Sequence, residues 1–211
     1  MNSRIIPSQR NNSIKLTAIL ILTFTTLITQ QAFAQQTNQQ TLTPETVKQI
    51  LAGNALLIMR HAIAPGTGDP DNFSVDDCTT QRNLSDTGRQ QAKTIGDTLR
   101  QSGITQATVY TSAWCRCQET ARLLGYDSPQ VLPSLNSFFQ NFDQREPQTT
   151  ALRKFTQTSL GLPRPDKPVI LVTHQVNITA LTNVYPESGE VLVITIDPQQ
   201  QITVVDQFTT P

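Results

Sequence analysis

Histidine occurs only twice in this chain, at His61 and His174, and cysteine three times, at Cys78, Cys115 and Cys117. The rival metal site these residues suggest would combine both histidines with Cys115 and Cys117. A C-x-C pair is not a usual zinc spacing, and Arg116 between the two thiols would repel a cation, so no metal or other cofactor is expected. Charge is scarce and balanced, with 16 basic and 16 acidic residues. No basic stripe runs along the chain, which argues against nucleic acid as a partner. Long apolar runs are lacking too. The stretch from Leu16 to Ile28 is broken by Thr17, Thr23, Thr25 and Thr26 and falls short of the roughly 20 apolar residues that a membrane span needs.

What that stretch does fit is a secretory signal. Residues 1–15 carry Arg4, Arg10 and Lys15 and no acid, the apolar run follows, and Ala32-Phe33-Ala34 supplies a small-x-small cleavage site. Residues 1–34 are expected to be a signal peptide cut after Ala34. Residues 35–42 would be a polar, flexible leader, and residues 43–211 a single domain in the periplasm or the medium, with no stable membrane span after cleavage. Losing Arg4, Arg10 and Lys15 leaves thirteen basic against sixteen acidic residues, a net charge of about −3. In an oxidising compartment a disulfide is plausible. Cys115 and Cys117 on one helix would project about 200° apart, so Cys78 is expected to pair with one of them, with the choice open.

Along residues 43–211, strand-like and helix-like segments alternate. Thr43-Pro44 opens a short helix over 44–52 that Gly53 stops. ALLIM (55–59) is an apolar run of strand length. Residues 62–84 read as a long loop containing Pro65, Gly66, Gly68 and Pro70. Ser85 caps a helix from Asp86 to about Arg100, with Ala92, Ile95 and Leu99 on one face. A strand near 107–111, a helix from about Ala113 to Leu124 and a helix from Pro147 to about Leu160 follow. PVILVT (168–173) is strand-like, and residues 176–183 form a short helix. VLVITI (191–196) and ITVVDQF (202–208) form strands around an Asp197-Pro198 turn. This alternation predicts an α/β three-layer sandwich: a mostly parallel sheet flanked by helices, with an antiparallel pair at one edge.

Each histidine directly follows an apolar strand run, so both are expected at the carboxyl edge of the sheet, where open α/β sheets bind ligands. Arg60 adjoins His61. Arg116 would lie in the first turn of the helix after the second strand, at the same edge, where free N–H groups favour an anion. Two arginines and two histidines at one edge suit a phosphoryl group, whose transition state spreads charge over its oxygens. A neutral histidine can attack phosphorus and form a phosphohistidine, and neighbouring guanidiniums keep it neutral.

Met59-Arg60-His61-Ala62, the run Asn83 to Ala92, Ser112 to Ala121, and Val172-Thr173-His174 together resemble, in order, the motifs of the histidine phosphatase (phosphoglycerate mutase-like) superfamily. The resemblance implies a phosphoglycerate mutase-like fold, His61 as nucleophile, and Arg60, Arg116 and His174 as the phosphate pocket. Several positions depart from the family pattern. Ala62 and Thr173 stand where Gly is usual. Asn136 stands near the place of a Glu proton donor, and Gln175 follows the second His where another branch has Asp. The general acid is therefore unassigned, with Asp71, Asp77, Asp143, Glu146 and Glu190 as candidates. The loop 62–82 should form a wall of the pocket, with Arg82, Asn83 and Asn177 as further substrate contacts. The expected activity is phosphomonoester hydrolysis on a phosphorylated small molecule or envelope component. A phosphate-binding pseudoenzyme is the main alternative, and a phosphomutase a remoter one.

Overall fold

A computed structural model of the protein describes residues 41–161 and 167–210. The expected signal peptide and all but the last two residues of the expected leader lie outside the described residues. All described residues fall in one unit, Gln39–Pro211. Leu42 is already 6% exposed in the core, one residue ahead of the expected domain start.

Helix α1 (Pro44–Leu51) opens where Thr43 Oγ1 accepts the Thr46 N–H at 3.2 Å, a side-chain cap followed by a first-turn proline. Strand β1 (Leu56–Arg60) follows, then the long loop, interrupted only by a 3-10 turn over Cys78–Thr80. Helix α2 (Asp86–Gln101) is capped by Ser85, whose Oγ accepts the Gly88 N–H at 3.0 Å. Then come β2 (Thr108–Thr111), α3 (Cys115–Leu123), β3 (Gln130–Val131), α4 (Arg145–Gly161), β4 (Val169–Thr173), α5 (Gln175–Thr182), β5 (Val191–Ile196) and β6 (Ile202–Phe208).

The six strands lie in the order β3-β2-β4-β1-β5-β6. Strands β3, β2, β4 and β1 are parallel, while β5 pairs antiparallel with β1, and β6 with β5. The α/β sandwich with an antiparallel edge is thus as expected. The chain's alternation of inward residues builds a core on each face of the sheet. Leu57, Met59, Ile170 and Val172 pack with Ile95 and Leu99 of α2 and Ala121 of α3 on one side. Leu56, Ile58, Leu171 and Leu192 pack with Leu152 of α4 and Ile178 of α5 on the other. Such strands, buried on both faces, read as continuous apolar runs.

Three features differ from expectation. Strand β3 has two residues, both exposed, too short for any periodicity to reveal. Residues 132–144, to which the sequence pattern assigns no element, hold two 3-10 turns, Pro133–Leu135 and Phe142–Gln144. Helix α3 starts at Cys115 rather than Ala113, because Asn136 Oδ1 accepts the Ala113 N–H at 2.8 Å and Ser112 Oγ the Trp114 N–H at 3.2 Å, which holds that backbone outside the helix.

Candidate active site

Adjacent parallel strands bring the histidines together. In the β1–β4 register Arg60 is opposite Thr173, so His61 and His174 leave the sheet side by side, and the His61 N–H donates to Thr173 O at 2.9 Å. Their rings lie 5.6 Å apart between centroids, edge to face. Strand β2 runs on the other side of β4, with Thr111 opposite Val172. It delivers Ser112, whose hydroxyl lies 2.9 Å from His174 Nε2. Arg116 enters from the first turn of α3, and the loop after β1 closes the cavity with Gly66, Thr67, Gly68, Asp69 and Arg82. The cavity holds about 130 Å³.

His61 and His174 are 2% and 4% exposed. Burial holds both imidazoles well below their usual pKa, and the positive charge of Arg116 adds to it, with Arg82 and Arg60 contributing further. Both rings are therefore neutral near pH 7. His61 Nδ1 lies 2.8 Å from Ala62 O. A carbonyl can only accept, so Nδ1 carries the proton and Nε2 keeps its lone pair free for attack on an electrophile.

The arginines are anchored and incompletely satisfied. Arg60 Nη1 donates to Pro186 O at 3.1 Å. Arg116 forms a two-pronged pair with Asp69, Nη1 to Oδ1 at 2.7 Å and Nη2 to Oδ2 at 3.1 Å. The Nε–H groups of both arginines are buried and find no hydrogen-bond partner among the described residues. A buried N–H without an acceptor is costly, and an anion's oxygens between the two arginines would supply one. The lining contains three guanidiniums (Arg60, Arg82, Arg116) and one carboxylate (Asp69). With neutral histidines its net charge is +2, the complement of a phosphate dianion. Burial and the neighbouring Arg116 lower the pKa of Arg82 to about 10, which leaves it charged at neutral pH.

Four of the residues singled out from sequence, Arg60, His61, Arg116 and His174, line one cavity, and Arg82 joins them. Asn83 and Asn177 are not among the lining residues. The Asn83 amide donates to Cys78 O at 2.6 Å and to Gln81 O, bracing the loop. Asn177 is buried beneath the site and donates to Asn136 O at 2.8 Å. None of the five candidate acids lines the cavity. Asp71, Asp143 and Glu146 are exposed, Asp77 caps the 3-10 turn at Thr79, and Glu190 accepts the Glu187 N–H. Asn136, near the place of the family's Glu, spends its Oδ1 on Ala113 and Ser112. Sequence reasoning missed Asp69. Its one signal was an acid in the Gly66-Thr67-Gly68 stretch, where the backbone can turn sharply: Gly66 and Gly68 have φ of +91° and +72°.

The helix N-terminus is only partly open as an anion site. Gln81 Oε1 accepts the Cys115 N–H at 2.9 Å, and Asn136 and Ser112 take the Ala113 and Trp114 N–H groups just ahead of the helix, while no side chain among the described residues takes the Arg116 N–H. The guanidiniums add to what that N–H offers an anion. Cys78 and Cys115 form a disulfide that ties the loop to the start of α3 and removes Cys115 as a metal ligand. Cys117 is a buried free thiol, pushed up to about 12 by burial.

A family model described as the histidine phosphatase superfamily (branch 1) matches residues 56–149. No curated protein matches the sequence. The chain is similar in fold to the protein histidine phosphatase SixA complexed with tungstate, at TM-score 0.51 and 18% identity, covering 74% of this chain and 96% of that one. It is also similar to the product of the open reading frame Rv3214 of Mycobacterium tuberculosis, at TM-score 0.56 and 15% identity over 74% and 98%. A third is a mycobacterial glucosyl-3-phosphoglycerate phosphatase, at TM-score 0.52 and 16% identity over 74% and 99%. At these identities the likeness concerns the fold.

Proposed function

We propose that this chain, which the histidine phosphatase superfamily model matches over residues 56–149, is a member of that superfamily and hydrolyses phosphomonoesters through a phosphohistidine on His61, without a metal ion, outside the cytoplasm. The observation that carries this reading is the pair of buried, unpartnered Nε–H groups of Arg60 and Arg116 lining the same small cavity as a neutral His61 whose Nε2 is unprotonated.

In this reading the phosphate enters with its oxygens on Arg60, Arg116 and His174. His61 Nε2 attacks phosphorus in line with the ester oxygen. The transition state is loose, with charge on the equatorial oxygens, and fixed guanidiniums in a buried site stabilise it without reorganising. Water then attacks the phosphohistidine and frees phosphate. Beyond the cation cluster and Asp69 the lining carries no charge, and the rim includes Phe139 and Tyr185, 41% and 73% exposed. That rim suits a phosphorylated small molecule or envelope component whose remaining portion is uncharged. The Cys78–Cys115 bond and the signal-like first 34 residues support an oxidising compartment.

The second reading is a module that binds phosphate without turning it over. It is favoured by the engagement of Asn136 at the place of the family's acid. The two separate on p-nitrophenyl phosphate with EDTA present. Turnover that is lost in His61→Ala, with acid-labile phosphate trapped on the wild type, is the expected result. Phosphate protection against unfolding with no turnover on any ester would favour the binding module. No protection at all would refute the pocket.

A further inference from the structure

Asp69 is the one carboxylate among the residues that line the cavity, and it comes from a loop that no part of the mechanism above has used. Its side chain is 3% exposed. Arg116 holds both oxygens, Trp114 Nε1 donates to Oδ2 at 3.0 Å, and the Arg82 backbone N–H donates to Oδ1 at 3.0 Å. Asp69 takes Nη1 and Nη2 and leaves the Nε–H free, so a phosphate that grips the guanidinium by its Nε/Nη2 fork needs the Nη2 that Asp69 holds. Carboxylate and substrate therefore compete for Arg116.

We propose that Asp69 is the general acid–base of the phosphatase reaction, released from Arg116 when the substrate's phosphate takes its place there. The inference rests on the phosphatase reading. Released from the guanidinium, Asp69 keeps the donors Trp114 Nε1 and Arg82 N–H and stays at the cavity wall, within the site where the ester oxygen departs. Its protonation changes with its company. Burial favours the neutral acid, but the hydrogen bonds and charge of Arg116 outweigh burial and hold the paired carboxyl below its ordinary range. A phosphate on Arg116 withdraws that support and sets negative charge beside Asp69; both changes raise its affinity for a proton. The other charged or titratable groups around it are Arg82 in its own loop, Cys117 on α3, and Arg60, His61 and His174 across the cavity.

Displaced from Arg116, the Asp69 carboxylate takes up one proton from solvent, and it returns that proton to solvent when it pairs with Arg116 again at the end of the cycle. As His61 Nε2 bonds to phosphorus, the P–O ester bond breaks, its electron pair goes to the ester oxygen, and that oxygen takes the proton of Asp69 and leaves as the alcohol. In the second step a water oxygen bonds to phosphorus, the N–P bond breaks, and the water's proton passes to the Asp69 carboxylate. Phosphate departs and Asp69 returns to Arg116.

The alternative role, a strut that merely positions Arg116, gives opposite signs in one variant. Asp69→Asn should bind inorganic phosphate more tightly, by roughly tenfold, because a competing negative charge is gone. It should lose about 10²–10⁴-fold in kcat on an alkyl phosphate and less than about tenfold on p-nitrophenyl phosphate, whose phenolate needs no acid. Asp69→Glu should recover part of the alkyl-ester rate. Weaker phosphate binding with equal losses on both esters would make Asp69 a strut and overturn the proposal. Should Asp69→Asn fail to fold, the wild type carries the test: its kcat should vary little as the leaving group becomes more basic, and a steep decline sinks the idea. Failure of the phosphatase reading looks different, since the wild type would then trap no phosphohistidine.

Discussion

The disulfide between Cys78 and Cys115 joins the tip of the cavity loop to the residue next to Arg116, so cutting it should be felt in both stability and binding. The bridge spans 37 residues of sequence. For a closed loop of that size, the chain entropy withheld from the unfolded state corresponds to about 4 kcal/mol. In a domain of this length, each kcal/mol moves the melting temperature by about 2–4 °C, so the loss should be roughly 8–16 °C. The perturbation is the double variant Cys78→Ser/Cys115→Ser, which keeps the Cys115 backbone N–H available to Gln81. Thermal unfolding of the variant and of oxidised wild type, followed by circular dichroism at equal protein concentration, reads the difference. Activity should survive at the folded temperature, because Asp69 and Gln81 still bind the loop to α3, while KM for p-nitrophenyl phosphate rises several-fold as the wall loosens. Melting temperatures within about 2 °C of each other would refute the reasoning. They would mean that the bridge withholds little entropy from the unfolded chain.

Three further outcomes follow from particular contacts. A Cβ at Gly88 would lie 2.0 Å from Ile63 O, a carbonyl already fixed by the Ser85 N–H at 3.1 Å. Gly88→Ala should therefore cost about 1–3 kcal/mol or more, visible as a lower denaturant midpoint; an unchanged midpoint would show that α2 can shift. Arg116→Lys keeps the charge but not the fork, and should lower kcat/KM by about 10²–10³-fold, so near-wild-type kinetics would argue that a point charge suffices. His61 and His174 are held well below 6.5 in the fold, by burial first and then Arg116, whereas unfolded imidazoles take protons near 6.5. The unfolded state then binds more protons below that pH. Stability should fall as pH drops from about 6.5, by at most about 1.4 kcal/mol per pH unit for each imidazole, with no such loss above it. Melting curves at pH 5 and pH 7.5 test this, and His61→Ala should flatten the dependence.

Much of the architecture lies in local pattern. ALLIM and PVILVT are continuous apolar runs because both faces of their strands are buried, and the residue after each run must emerge at the sheet's carboxyl edge. That logic locates His61 and His174 with no knowledge of which strands are neighbours. The caps at Thr43 and Ser85 are equally local, since a hydroxyl and the N–H three residues on are all they involve. Arg60 and Arg116 are legible for the same reason, as neighbours of strand ends.

What depended on the tertiary structure is whatever two distant segments decide jointly. Asp69 lies 47 residues from Arg116 in sequence, inside a loop without periodicity, and only the folding of that loop over α3 makes it the carboxylate of the site. The partner of Cys78 was open because helical projection excludes a Cys115–Cys117 bond but cannot say which thiol faces the loop; Cys117 turns into the core and Cys115 faces Cys78. Asn83 and Asn177 read as site residues by proximity to the motifs, yet neither lines the cavity, and their Nδ2 groups donate to backbone carbonyls. Around the start of α3, an anion site by local reasoning, the N–H groups of residues 113, 114 and 115 are taken by side chains from residues 136, 112 and 81. Sequence by itself determined the longer strands, the existence of the helices and the edge at which the chemistry collects, because burial and capping act over a few residues. The partners of each polar group in the site were decided by tertiary structure, because hydrogen-bond satisfaction is settled among segments that meet only after folding.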